Sequence, residues 1–198
     1  MKQQVLEIHN GDVFENKKFS QIEIEKEKIK SKEFENCEFN KCSFVGTEFL
    51  NCRFSECNFK DCIFSGVIFD GSSTTDISFI DSKVLGIDWT KLFNVNYLKF
   101  KGSQLNYSNF RFLKLSKLSI IDCEAKEVDF IGADISEVDF RGTNLEGAIF
   151  SQTNLFKANF KKTTNLSIDF KLNNIKKAKF LMADAINLLN SLDIVIED

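Results

Sequence analysis

Histidine and tryptophan occur once each in this chain, tyrosine twice and proline never. With His9 alone, a catalytic triad, a zinc site or an imidazole acid–base pair has no second member in view, and His9 reads as an incidental surface residue. The nine glycines form neither a GxxxxGKS/T nor a GxGxxG loop, which argues against a nucleotide enzyme. No uninterrupted apolar run approaches the roughly 20 residues that span a bilayer. The opening MKQQVLEIHNGDVF lacks an apolar signal region and a small-residue cleavage site. A net charge of −3 is far from the basic character of nucleic-acid binders. These absences point to a soluble cytoplasmic protein that is not an enzyme. They imply no cofactor, no small-molecule substrate, no membrane span and no direct nucleic-acid binding.

What is abundant is phenylalanine, at 22 residues. From Phe34 to Phe69 one stands at every fifth position: Phe34, Phe39, Phe44, Phe49, Phe54, Phe59, Phe64 and Phe69. The register reaches back through Phe14, Phe19, Ile24 and Ile29, and forward through Phe79, Val84 and Trp89. After a one-residue break, placed near 95–99, it resumes at Phe100 and continues through Phe140 and Phe160 to Phe180. Two residues before each large side chain sits a small one, as at Cys37, Cys42, Cys52, Cys57, Ala133, Ala148 and Ala158. Neither the 3.6-residue helical period nor the two-residue strand period fits this small-x-large-x-x unit.

A chain with two inward residues in every five must turn a corner after each unit, so four units close a square coil. The expectation is an all-β solenoid, a right-handed quadrilateral β-helix of about eight coils and roughly 40 Å, at ~4.8 Å per coil. Residues 34–180 form the repeat body, with Phe39, Phe44, Phe49, Phe54, Phe59, Phe64, Cys52 and Cys57 in its core. Residues 1–33 place Asp12, Lys17, Glu27 and Lys32 at the small inward position, where a charge is costly to bury. They read as an amino-terminal capping coil, although IEIEKEKIKSKEF also suits a short solvated helix. Residues 181–198 carry Leu181, Ala185, Ile186, Leu188, Leu189 and Leu192 at helical spacing, which predicts a short terminal helix and tail able to self-associate.

All six cysteines fall on the small inward position and so read as packed thiols; with no export signal, a disulfide framework is not expected. The densest acidic surface is Asp122, Glu124, Glu127, Asp129, Asp134, Glu137, Asp139 and Glu146, relieved by Lys126 and Arg141. Being five apart, Glu124, Asp129, Asp134 and Asp139 fall on successive faces and form a girdle, not a phosphate-like track. They are the candidate partner surface, with Glu127 and Glu137 beside them.

The repeat over 34–180 resembles the pentapeptide-repeat family, whose fold is the square β-helix. Within it, VLGIDWTKLF (84–93), the break that follows, and SIDFKLNNIKKAKF ahead of INLLNSLDIVIED are similar to the Qnr-type quinolone-resistance branch. That resemblance implies a DNA-mimicking rod that binds DNA gyrase and topoisomerase IV and lowers fluoroquinolone action. It also implies a homodimer through Ile186, Leu188, Leu189 and Leu192. The long projecting loops of many members have no counterpart beyond the break and the irregular GSSTT at 71–75. The other reading is a scaffold for a different protein partner.

Overall fold

A computed structural model describes residues 2–182 and Ala185. Of the expected carboxy-terminal helix only Leu181, Met182 and Ala185 are described, with Ala185 N donating to Leu181 O at 3.0 Å, and the dimer residues Ile186, Leu188, Leu189 and Leu192 lie outside the described residues.

Each five-residue unit contributes one inward large side chain flanked by two outward residues. In Val13–Glu15, Lys18–Ser20 and Glu23–Glu25 only the central Phe14, Phe19 and Ile24 are buried. Such a strand is too short to stand alone and pairs in parallel with the strand 20 residues later. Val13–Glu15 meets Glu33–Glu35, which meets Arg53–Ser55, which meets the start of Ser73–Ile80. The other faces repeat this step through Lys18↔Glu38↔Asn58↔Ser78, Glu23↔Ser43↔Ile63↔Lys83 and Lys28↔Glu48. Four faces per coil make the right-handed quadrilateral β-helix. Three-residue and longer strands run from Val13 to Ile121. Beyond them the same step is carried by single bridges such as Asp134↔Asn154↔Asn174.

At most corners the residue two after the large one takes a left-handed conformation. Asn16, Gln21, Lys26 and Ser31 have φ between 52° and 56°. In the second half the corner closes as a hydrogen-bonded turn. Ala133 N donates to Phe130 O at 3.1 Å, with Gly132 at φ 67° in the third place, the type II pattern.

The core is a set of aromatic columns. Phe49, Phe69, Trp89, Phe110, Phe130 and Phe150 stack face to face through consecutive coils at 5.2–5.9 Å. Neighbours around one coil meet edge-on, as Phe34 does with Phe39 at 5.6 Å and 66°. Phe39, Phe44, Phe49, Phe54, Phe59, Phe64, Cys52 and Cys57 are all at most 3% exposed.

Two features depart from the sequence reading. The extra residue is not at 95–99 but at Phe93–Asn94. Leu92 and Val95 are both inward, three residues apart where the repeat allows two, and Phe93 is expelled to 87% exposure. Asn94 had occupied the sequence column, whereas the buried Val95 holds the large position and starts the shifted register. Ser73↔Asn94 and Phe79↔Phe100 are accordingly 21 apart.

The amino-terminal segment is also more ordered than an irregular coil. Lys2–Asn10 forms a helix, α1, that lays Ile8 (1% exposed) on the end of the rod. This covers backbone that an open coil would leave unpaired. From Val13 the chain is already regular, and Glu23–Glu25 and Lys28–Lys30 are strands rather than a solvated helix. Lys32, at a small inward position, is 9% exposed. Its ammonium donates to His9 O at 3.1 Å and Asp12 Oδ1 at 3.0 Å, so the charge is paired and not stranded.

Candidate partner surface

With the inward positions filled by the columns, the chain meets other molecules through its corners and outward strand positions. The candidate acids occupy these positions, and their first role is structural. Asp129 Oδ1 accepts from Ile131 N at 2.9 Å, Asp134 Oδ1 from Ser136 N at 3.1 Å and Asp139 Oδ1 from Arg141 N at 3.2 Å. Asn109, Asn144 and Asn154 make the same bond to the amide two residues on. A short side-chain carbonyl suited to this Asx turn fixes these corners, whether or not it is charged.

The girdle is largely compensated. Asp129 Oδ2 takes a hydrogen bond from Arg111 Nη1 at 2.9 Å, and Asp139 Oδ2 takes one from Arg141 Nη2 at 2.7 Å. Glu137 pairs with Lys157 at 3.1 Å, while Glu124 accepts from Asn144 Nδ2 at 3.0 Å. Hydrogen bonding to Asp139 holds the Arg141 guanidinium above its ordinary pKa, and Glu146 does the same for Lys126. Along the axis the neighbours of Glu124, Asp134 and Asp139 in the next coil are Asn144, Asn154 and Asn159. The carboxylates therefore circle the rod, and Glu127 stands at a left-handed corner.

The small inward position proves to be more than a gap-filler. Its hydroxyl or thiol donates to the carbonyl of the large residue one coil below: Thr47 to Ile24 at 2.8 Å, Cys57 to Phe34 at 3.4 Å, Ser72 to Phe49 at 2.8 Å and Thr153 to Phe130 at 2.9 Å. The preference for Cys, Ser and Thr over Ala was the available signal. All six thiols are free and buried. Hydrogen bonding to Cys37 together with burial pushes Cys57 up, and burial pushes Cys123 up to about 12, so both remain protonated near neutrality.

Among the described residues no group of three or more His, Cys, Asp or Glu is placed to hold a metal ion. His9 Nε2 lies 3.0 Å from Glu27 Oε2, a partner the sequence did not reveal, at the capped end of the rod. No described helix is long and apolar enough to cross a membrane.

The family profile described as a pentapeptide repeat region matches residues 32–110, and a second, of eight pentapeptide-repeat copies, matches residues 126–161. The chain belongs to the pentapeptide-repeat family. No curated sequence matches it. Among solved structures it is similar to two trypsin-treated variants of QnrB1, a plasmid-mediated fluoroquinolone resistance protein. One shares 21% identity at a TM-score of 0.61, covering 93% of this chain and 100% of that one. The other shares 21% at 0.57, covering 95% and 100%. At that identity the likeness establishes a shared pentapeptide-repeat fold over nearly the whole chain.

Proposed function

We propose that this pentapeptide-repeat protein is a non-catalytic binding protein that engages DNA gyrase or topoisomerase IV and reduces fluoroquinolone action. The observation that carries this reading is the near full-length match of the rod to the two QnrB1 structures. The girdle of Glu124, Glu127, Asp129, Asp134, Glu137 and Asp139 is the acidic contact surface, and the protein acts as a cytoplasmic homodimer through its carboxy-terminal segment.

Because Asn closes the same corner as Asp elsewhere in the rod, the charge can be tested apart from the fold. The triple variant Asp129→Asn, Asp134→Asn, Asp139→Asn is expected to keep its melting temperature. The wild-type protein should restore gyrase supercoiling in the presence of a fluoroquinolone, and the triple variant should do so at least tenfold less well. No effect of wild type at large molar excess would overturn the reading and leave a scaffold for another protein.

A further inference from the structure

Between Asp88 and Asp122 the chain holds no acidic residue, yet it carries Lys91, Lys99, Lys101, Arg111, Lys114 and Lys117. The same stretch exposes Phe93, Tyr97, Tyr107 and Phe112, at 87%, 59%, 63% and 66%. No other aromatic residue among the described residues is exposed. In a sequence that spends its rings on the core, a cationic belt with outward aromatics encircles the rod at the level of the break.

The side bearing the bulge concentrates these groups. Phe93 leaves the coil just before Asn94, and Tyr97 turns the next corner with φ 53°. Tyr97 shares a surface depression with Lys114 and Ser116 of the coil above. Phe112, at φ 58°, lies against Gly132, whose missing Cβ makes room for the ring, and the Arg111 guanidinium sits 5.5 Å from its centroid. Aromatic and arginine side chains presented together are what partner proteins bury most productively.

Charge selects among partners. Lys99 and Arg111 are already paired with Asp76 and Asp129, whereas Lys91, Lys101, Lys114 and Lys117 have no ion-pair partner among the described residues. The coils on either side carry Asp76, Asp81 and Asp88 below and Asp122, Glu124 and Glu127 above. A nucleic acid running along the rod would meet these acids beyond the belt. A short anionic segment with apolar side chains fits within it.

We propose that this belt docks an acidic, apolar peptide segment of a partner protein. The proposal does not rest on the topoisomerase reading, and its test uses no topoisomerase. Fluorescence anisotropy with a labelled peptide of alternating Glu and Leu should show saturable binding that weakens as salt rises. Tyr97→Gly with Phe112→Gly removes both rings at corners whose backbone suits glycine, and should weaken binding at least tenfold. Lys114→Glu with Lys117→Glu, a surface change, should do the same; the glycine pair should melt no lower than wild type and the glutamate pair at the wild-type temperature. Absence of saturable binding, variants that bind as wild type does, or tighter binding of a single-stranded oligonucleotide than of the peptide would each overturn it.

Discussion

The Lys32 ammonium stands 3.1 Å from the carbonyl oxygen of His9, so a side chain from the second coil holds the last turn of α1. A cation at a helix carboxy terminus satisfies an orphan carbonyl and the helix dipole together. Lys32→Met should therefore release α1 while leaving the columns intact. Amide exchange over residues 2–10 is expected to accelerate about tenfold or more, because the His9 carbonyl loses its charged donor. Unchanged protection there would refute the role assigned to Lys32.

Two buried threonines should respond oppositely to the same substitution. Thr153 Oγ1 donates to Phe130 O at 2.9 Å, whereas Thr74 Oγ1, also fully buried, has no partner and occupies a position meant for a large apolar residue. Thr153→Val should cost about 1 kcal/mol, and Thr74→Val should stabilise by a similar amount. Denaturant titration of the two variants reads the sign directly.

Left-handed corners offer a second pair of opposites. Lys117 adopts φ 65° with a side chain that must bear that conformation, so Lys117→Gly should stabilise by ~0.5–1 kcal/mol. Gly132 adopts φ 67° against the Phe112 ring, and Gly132→Ala would drive a methyl into it. A loss of about 2 kcal/mol or more is expected from strain and clash combined. Thermal melts that moved both variants in the same direction would contradict this account.

Alkaline pH should loosen the rod through its buried thiols. Burial raises Cys123 from 9.0 to about 12, so the neutral thiol favours the folded state. That contribution is whole below pH 9 and disappears as pH rises towards 12. Stability measured across this window should fall, and Cys123→Ala should flatten part of the descent. An identical slope in the variant would remove Cys123 as a cause.

The columns were legible because a stacked core demands the same kind of residue at every fifth place, and Phe34 to Phe69 supply it without exception. The position of the break was not, because Asn94 falls in the five-residue register of the sequence and only burial shows that Val95 holds the inward place. Charge at the inward position misled in one instance. Lys32 is buried because α1 brings His9 O to it, a contact 23 residues away that composition cannot announce. The acidic residues were visible as a girdle, but their turn-closing role lay in the interchange of Asp with Asn before each large residue. That role follows from the reach of a short side-chain carbonyl and is indifferent to charge.

Five residues advance the chain by one face, so an insertion of that length would swing everything beyond it through a quarter-turn about the rod axis. An insertion of a whole coil would restore the bearing. The bulge at Phe93 obeys neither arithmetic: Phe69, Trp89 and Phe110 remain stacked through it, so the added residue is shed outward and no angular error is passed on. The angular offset between the cationic side of the rod and the acids in the coils beyond is thus a heritable quantity, and small duplications change it in discrete jumps.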